Sequence, residues 1–353
     1  MSKHLNDYSS DDQLEVPFEI EDLDPNINKK LLQDFGGERT GFIQVGKKKW
    51  FFPNAFRHHI SRFHDFEVRP NDVWIVTFPR SGTTVTQELI WLLLNDLDYK
   101  TASQITLFER YPFMEANCMF HPEFRAELLQ ENINFEENYK LIKKLSESVC
   151  DHLDQMKERR FIKTHLPLSL LPKNLLTVGC KVIYIARNPK DLAVSYYHHN
   201  RLIRVHGFKK DFPTFWEYFS NNLVVWAPYW EHILEAWKEN NRENMLFLFY
   251  ENLNKNLKES IINIQNFLGT KFTDDQLSLL ENHLKIDNFR KNSSVNYSLW
   301  RDLGIFDKNE QSFIRKGKTG ESKSYFDENL EKKANDWIEL HLKDTDLKFP
   351  AFN

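Results

Sequence analysis

The sequence has few cysteines and no long hydrophobic segment. Its three cysteines, Cys118, Cys150 and Cys180, form no CxxC pair and no zinc-like spacing, so we expect reduced thiols in a reducing compartment. Apolar runs reach six residues, as at residues 89–94, whereas a transmembrane helix requires roughly 18. The N-terminal segment is polar and acidic, unlike a secretory signal or a mitochondrial presequence. These absences predict a cytoplasmic protein that has no membrane partner.

The sequence also lacks an excess of basic residues. Lys and Arg number 47 against 51 Asp and Glu, and the formal net charge is −4. A protein that coats nucleic acid needs a basic surface, so no nucleic-acid partner is expected. By contrast, 41% of the residues are hydrophobic and 14% are aromatic, which is enough for a large core and an apolar pocket.

Segments typical of strands and helices alternate along the chain. Four continuously apolar segments have the length and composition of parallel strands covered on both faces: residues 73–78, 160–163, 181–186 and 245–250. Helical patterns follow at residues 84–96, 189–203, 215–240, 252–268, 273–284 and 327–342. The alternation predicts a single-domain α/β fold with a central, mainly parallel sheet flanked by helices.

Two regions depart from this alternation. Residues 1–40 are polar and interrupted by proline and glycine, which predicts an N-terminal arm ahead of a domain at residues 41–353. Residues 101–158 are acidic and partly helical, which predicts a helical insertion over the edge or mouth of the sheet. Lids over functional sites are often built in this way.

The segment TFPRSGTT, residues 77–84, joins a predicted strand to a predicted helix through a glycine-containing turn. Such a turn directs main-chain N–H groups and the positive end of a helix to one point, which favours a phosphate. It is not a Walker A loop, because GxxxxGK[ST] is absent. The alternative is an ordinary strand–helix turn with a cap at Thr83 or Thr84. The candidate ligands are Arg80, Ser81, Gly82, Thr83 and Thr84.

A second candidate segment, Lys163-Thr164-His165, stands at the carboxyl end of another predicted strand. Ligands of parallel sheets bind beyond the carboxyl ends of the strands, so both side chains should face the same crevice as the first loop. His165 could then take a proton from an acceptor, and Lys163 could neutralise a departing phosphate. The alternative is a structural role for His165.

Two further basic segments are candidate phosphate sites. Arg187 follows the third strand, and Ser195 lies on the next helix, where the two could clamp a monophosphate. The alternative for Arg187 is a surface ion pair with Asp191. The last segment, which is either a phosphate-binding loop or a solvated turn, includes Arg315, Lys316 and Gly317.

Taken together, the four segments predict sites for two phosphate groups and one base. A nucleotide with phosphates at both its 5′ and 3′ ends fits them better than a nucleoside triphosphate, because no Walker B acid accompanies them. We therefore expect a reaction without a metal ion, driven by arginine, lysine and oriented amides.

The segments resemble those of the cytosolic sulfotransferases, α/β enzymes that move a sulfuryl group from 3′-phosphoadenosine 5′-phosphosulfate (PAPS) to a hydroxyl or amine. TFPRSGTT resembles their P-loop-like 5′-phosphosulfate loop, and KTH at residues 163–165 resembles their catalytic tripeptide. RNPKDLAVS at residues 187–195 and FIRKGKTG at residues 313–320 resemble their 3′-phosphate segments. Tyr250, in FYENL, resembles the tyrosine that contacts the adenine region.

The resemblance extends in order from about residue 41 to the C-terminus. The acidic insertion, the stretch FIKTHLPLSLLP and the ending KDTDLKFP resemble most the insect branch of the family, which includes retinol dehydratase.

This resemblance implies roles for the matched residues. His165 would be the general base on the acceptor hydroxyl, and Lys163 and Arg80 would stabilise charge on the departing phosphate. Ser195 would restrain a basic side chain until the acceptor arrives. The product would be 3′-phosphoadenosine 5′-phosphate (PAP), and no metal would take part. Beside Arg80, the 5′-phosphate ligands would be Ser81, Gly82, Thr83 and Thr84, and the 3′-phosphate ligands would be Arg187, Ser195, Arg315, Lys316 and Gly317.

Some positions depart from the family pattern. Arg80 stands where the family usually has lysine, and Val85 replaces a common tryptophan. Leu284 and Ile286 replace a threonine and a phenylalanine, so the adenine slot should be less aromatic. His199 stands where an aromatic pocket residue is common. The dimer motif KxxxTVxxxE is absent, so any homodimer must use another surface.

The acceptor pocket is predicted to be mostly apolar, with residues 107–120 as its roof. Its candidate residues are Tyr111, Phe113, Met114 and His199, and the alternative for each aromatic one is a place in the core. The substrate would be a small lipophilic hydroxyl compound, such as an alcohol, phenol, sterol or retinoid. Two other functions stay open: a retinol-dehydratase-like enzyme in which elimination follows sulfation, and a catalytically inactive protein that binds a lipophile.

Overall fold

The computed structural model describes residues 18–315, 317 and 319–351. The strands are β1 (Ile20–Asp22), β2 (Phe42–Val45), β3 (Trp50–Pro53), β4 (Val73–Thr77), β5 (Phe161–Thr164), β6 (Lys181–Ala186) and β7 (Met245–Phe249). The α-helices are α1 (Pro25–Asp34), α2 (Ile60–His64), α3 (Thr83–Leu94), α4 (Tyr99–Gln104), α5 (Leu107–Arg110), α6 (Pro122–Glu131), α7 (Glu136–Lys144), α8 (Val149–Gln155), α9 (Pro189–Leu202), α10 (Phe212–Ser220), α11 (Tyr229–Lys238), α12 (Tyr250–Lys255), α13 (Leu257–Leu268), α14 (Asp274–Leu284), α15 (Ile286–Lys291), α16 (Ser298–Asp302) and α17 (Glu328–Leu342). Short 3-10 helices lie at Asn54–His58, Ala116–Cys118, Leu168–Leu170 and Glu321–Ser324.

Within the described residues, a parallel sheet of four strands in the order β5-β4-β6-β7 forms the centre of the fold. Alternate residues of β4 pack into opposite apolar clusters: Val73 and Ile75 on one face, Trp74 and Val76 on the other. Both faces of the sheet are therefore covered, which explains why the apolar segments show no polar alternation. The predicted strands and the α/β fold are confirmed, each strand to within one residue at either end.

Two predicted helices are divided in the structure. Residues 215–240 form α10 and α11 rather than one helix, because Asn222 and Trp226 adopt positive φ angles of 61° and 68° and Pro228 precedes α11. Residues 252–268 form α12 and α13, which are separated at Asn256. The capping box at Thr273 is confirmed at the start of α14.

The N-terminal residues pack on the domain. The predicted arm at residues 1–40 lies partly outside the described residues, which begin at residue 18. Strand β1 joins β2 and β3 in an antiparallel sheet, and α1 places the buried Leu31 and Phe35 in the larger apolar cluster.

The insertion, which contains α4 to α8, adjoins the edge strand β5. The Lys163 N–H donates to the carbonyl of Pro112 at 2.9 Å, and the Met114 N–H donates to the carbonyl of Lys163 at 2.9 Å. Residues 112–114 therefore lie alongside the carboxyl half of β5, next to the end of the sheet where ligands bind in parallel α/β proteins.

A buried ion pair fixes the opposite end of the sheet. The Arg160 Nε donates to Asp72 Oδ1 at 2.8 Å and Nη2 donates to Oδ2 at 2.6 Å, and both side chains are fully buried. These residues immediately precede β5 and β4, so the bidentate contact joins the amino ends of the two strands.

Candidate active site

The loop between β4 and α3 has the geometry of an anion-binding turn. Gly82 has φ of +95°, and a Cβ atom there would lie 2.6 Å from Tyr250 Cδ2, so the position requires glycine. Gly82 is itself the N-cap of α3 and supplies no side chain to the free N–H groups of the first turn. The alternative of a cap at Thr83 or Thr84 is wrong, and the helix N-terminus is left open for an anion.

Two polar groups beside this turn are buried without a hydrogen-bond partner among the described residues. They are Ser81 Oγ and Arg187 Nε. Arg187 Nη1 donates to the carbonyl of Arg80 at 2.9 Å, and its guanidinium lies 4.3 Å from the ring centroid of Tyr250. Buried groups of this kind are rarely left unpaired, so they fit the charged oxygens of a ligand.

The surface ion pair considered for Arg187 does not form. Arg187 is buried, and Asp191 instead accepts from the main-chain N–H groups of Gly320 at 2.5 Å and Ser322 at 2.9 Å. Asp191 thereby fastens the C-terminal basic segment to the first turn of α9, close to Arg187.

Three arginines meet at one end of the cavity. Arg80, Arg187 and Arg315 come from three segments of the chain and line one cavity. Burial, followed by the neighbouring charges of Arg315 and Arg187, lowers the pKa of Arg80 to about 9. An anionic ligand would offset this repulsion, because it would place a negative charge next to Arg80. Glu321 partly balances Arg315 through an ion pair at 2.8 Å.

The C-terminal segment also approaches the cavity through Gly317. Its φ is +61°, and a Cβ atom there would lie 2.9 Å from Ile286 Cδ1. Gly317, Ile286 and Tyr250 all line the cavity. Lys316, the remaining predicted ligand, lies outside the described residues.

His165 is held in one tautomer. Its Nδ1 lies 2.8 Å from the main-chain oxygen of Thr77, which can only accept, so Nδ1 carries the hydrogen and Nε2 keeps a lone pair. The Thr77 hydroxyl lies 3.0 Å from the same nitrogen and 2.8 Å from the Thr83 hydroxyl. Burial, with Lys163 as the next cause, lowers the pKa of His165 well below its usual 6.5. The imidazole is therefore neutral at pH 7 and is able to accept a proton.

Lys163 lies beside His165 at the end of β5. Its Nζ lies 4.1 Å from the ring centroid of Phe113, a cation–π contact with the insertion. Burial lowers the pKa of Lys163 to about 8; the charge of Arg80 acts in the same direction, and that of Glu115 opposes it. The ammonium is thus retained at neutral pH and lost in mildly alkaline solution.

Ser195 contacts Arg80 rather than Arg187. The Arg80 Nε donates to Ser195 Oγ at 3.1 Å, and Nη2 donates to the Phe313 carbonyl at 2.9 Å. The Arg80 guanidinium also lies 4.7 Å from the centroid of the Phe313 ring. The side chain of Arg80 is therefore held in place both by α9, through Ser195, and by the C-terminal segment, through Phe313.

The cavity continues from these charged groups into an apolar region. Phe113 and His199 line it, as predicted, but Tyr111 and Met114 do not. Tyr111 is fully buried and packs 5.4 Å from Phe161, and Met114 is fully buried in the larger apolar cluster. Their prediction as pocket residues is therefore wrong. The apolar part of the cavity is lined by Phe108, Phe113, Ala116, Met119, Phe120, Ile203, Val205, Trp226, Trp300 and Phe313.

The chain matches the sulfotransferase domain family over residues 70–346, a span that contains all four candidate segments. The chain belongs to the sulfotransferase family. Luciferin sulfotransferase of Photinus pyralis is 30% identical over 325 residues, which cover 90% of this chain and 83% of that protein. The resemblance inferred from the four segments is confirmed.

Solved structures of retinol dehydratase are also similar to this sulfotransferase. One is a complex with androsterone and the inactive cofactor PAP, and the other is a complex with retinol and PAP. Each is 38% identical to this chain with a TM-score of 0.88 over 95% of its length, and 98% and 99% of the retinol dehydratase chains are covered. The open N-terminus of α3 and the three arginines of this chain are donors for an anionic ligand.

Several residues near His165 and Arg80 were not predicted from the sequence. Trp226 lies 5.3 Å from His165, Phe313 anchors Arg80, and Glu115 hydrogen-bonds the main chain of His165. Phe313 is the first residue of the segment FIRKGKTG, so its position beside the site could have been predicted from that segment. Trp226 and Glu115 belong to no recognised segment, so only the fold brings them to the site.

The described residues hold neither a bilayer-spanning helix nor a metal-binding cluster. No helix in this part of the sulfotransferase is long and apolar enough to cross a bilayer. In the same residues, no group of three or more His, Cys, Asp or Glu side chains is arranged to hold a metal ion.

Proposed function

We propose that the protein transfers the sulfuryl group of PAPS to the hydroxyl of a small lipophilic acceptor, with His165 as the general base. The observation that carries this proposal is the convergence of the neutral His165, Lys163 and three arginines on a cavity that is apolar beyond them. The charged end suits a doubly phosphorylated nucleotide, and the apolar end suits an alcohol, phenol, sterol or retinoid.

In this reaction the unprotonated Nε2 of His165 takes the hydrogen of the acceptor hydroxyl as its oxygen bonds to sulfur. The bond between sulfur and the bridging phosphate oxygen breaks, and PAP leaves with the electron pair. Lys163 and Arg80 stabilise the negative charge on the leaving oxygen. Arg80 is held by Ser195, so Ser195 would keep this cation away from the donor until an acceptor is bound.

The nucleotide would be held by two groups of residues. The first turn of α3, from Gly82 to Thr84, and the buried Ser81 would receive the 5′-phosphate, because these groups lack protein partners. Arg187, Arg315 and Gly317 would receive the 3′-phosphate, with Lys316 as a further ligand. The adenine would lie near Tyr250, Val85 and Ile286, which line the same cavity.

The test is transfer of labelled sulfate from PAPS to a panel of lipophilic alcohols, phenols, sterols and retinoids. We expect at least one acceptor to gain the label and an equal amount of PAP to form. Tight PAP binding without transfer to any acceptor would favour a binding protein over an enzyme.

A second candidate is a retinol-dehydratase-like reaction, in which the sulfate ester loses sulfate to give an alkene. The similarity to retinol dehydratase, at 38% identity over 95% of the chain, supports it. Product mass separates the two reactions, because a stable sulfate ester gains a sulfuryl group whereas the eliminated product loses water.

A further inference from the structure

Glu115 is a fully buried acid in the insertion, at the start of the Ala116–Cys118 turn. Its Oε1 accepts from the main-chain N–H of His165 at 2.6 Å and from the Thr164 hydroxyl at 3.1 Å. One carboxylate oxygen thus binds the two residues that follow Lys163. Its other oxygen, Oε2, is buried without a hydrogen-bond partner among the described residues.

Burying a carboxylate that is only half paired is unfavourable, so its retention needs a compensating interaction. The cation whose charge acts on Glu115 is Lys163, at the end of β5. The other titratable groups near it, Cys118 of its own turn and Cys150 on α8, are buried thiols that carry no charge at neutral pH. Burial raises the pKa of Glu115 to about 7, and the hydrogen bonds and Lys163 act in the opposite direction.

Residues 112–114, which precede Glu115, also contact Lys163 at the end of β5. Pro112 and Met114 pair with the main chain of Lys163, and the Phe113 ring lies under its ammonium group. Glu115 continues this contact to His165. Residues 112–115 therefore hold Lys163 through main-chain hydrogen bonds and the Phe113 ring, and they hold His165 through the Glu115 carboxylate.

We propose that Glu115 is a positioning residue for the sulfuryl transfer proposed above, on which this inference rests. Its carboxylate fixes the main chain between Lys163 and His165, and its negative charge keeps Lys163 in the ammonium form. Displacements of about 1 Å in such a pair lower rates by roughly a hundredfold, which gives the contact a catalytic consequence.

The test compares Glu115→Gln with Glu115→Ala. Glutamine keeps an oxygen acceptor for the His165 N–H and the Thr164 hydroxyl but removes the charge, whereas alanine removes both. In E115Q we expect the Lys163 pKa, followed by NMR of lysine side chains labelled with carbon-13, to fall by about one pH unit. The alkaline limb of the kcat/KM–pH profile should move by the same amount. In E115A we expect kcat to fall by about tenfold to a hundredfold.

Glu38→Gln is the matched control. Glu38 is also a buried acid that accepts main-chain N–H groups, those of Arg39 and Thr40, but it does not line the active-site cavity. E38Q should leave the Lys163 titration and the pH profile unchanged.

An unchanged Lys163 titration and kcat/KM–pH profile in E115Q, with transfer intact, would overturn the proposal. So would equal shifts in E115Q and E38Q. A shifted Lys163 titration in a chain that binds PAP but transfers no sulfate would support the role of Glu115 and refute the proposed function instead.

Discussion

Gly82→Ala tests the proposed phosphate-binding turn at the residue whose backbone angle and neighbours leave no room for a side chain. The substitution places a side chain at φ of +95°, which costs about 1–2 kcal/mol for an L-residue. It also places a Cβ atom 2.6 Å from the Tyr250 ring, and overpacking of this kind costs about 1–3 kcal/mol. We therefore expect G82A to lower the free energy of unfolding by about 2–5 kcal/mol.

The displaced Tyr250 ring should also weaken nucleotide binding. The centroid of the Tyr250 ring lies 4.3 Å from the Arg187 guanidinium, and a buried cation–π contact of this kind contributes about 2 kcal/mol. A loss of about 1.4 kcal/mol is a tenfold change in affinity, so we expect the Kd for PAP in G82A to rise by about tenfold or more. Calorimetric titration with PAP and urea unfolding measure the two effects.

Gly179→Ala provides the matched control. Gly179 has φ of +92°, but a Cβ atom there meets nothing within 4 Å. G179A should therefore show only the conformational cost of about 1–2 kcal/mol and should bind PAP as the unmodified chain does. Equal losses of stability in the two variants, together with unchanged PAP binding in G82A, would refute the reasoning.

Three further outcomes follow from the contacts of the site and the sheet. Arg187→Lys should weaken PAP binding by about tenfold more than it weakens binding of adenosine 5′-phosphate, because the lost planar contacts serve the 3′-phosphate; equal effects in calorimetry would count against that assignment. Asp72→Asn should lower the free energy of unfolding by about 3 kcal/mol, because it removes the bidentate carboxylate of the fully buried Arg160 and leaves it only the longer ion pair with Asp154, at 3.7 Å; a urea curve like that of the unmodified chain would contradict this. The Lys163 ammonium of the free protein is present below its pKa of about 8 and is lost above it, so kcat/KM should fall as the pH rises through 8, and a flat kcat/KM profile from pH 7 to 9.5 would exclude a role for its charge.

The central sheet could be predicted because its strands are buried on both faces. Each strand then reads as an unbroken run of apolar residues, and the parallel order places the segment after each strand at one edge. That edge is where the structure brings together Arg80, His165, Arg187 and Tyr250. Local sequence was sufficient to predict these residues because a residue that follows a parallel strand lies at the edge where the cavity is found.

The remaining features depend on contacts between distant parts of the chain. The aromatic content of residues 107–120 predicted a pocket, but it does not indicate which rings face the cavity, and Tyr111 packs into the core instead. Glu115 reaches His165 only because residues 112–114 pair with the edge strand. The break between α10 and α11 is hard to predict because residues 223–227, LVVWA, continue the apolar pattern from one helix to the next.

The most direct test of the proposed chemistry is His165→Ala, with turnover and PAP affinity measured on the same preparation. Loss of a general base lowers rates by about 10² to 10⁴, so we expect kcat for sulfate transfer to fall at least a hundredfold. Nucleotide affinity should stay nearly constant, because the phosphates are assigned to the α3 turn and the arginine cluster. Retention of most of the turnover, or a loss of PAP binding in parallel with turnover, would contradict the assignment of His165 as the base.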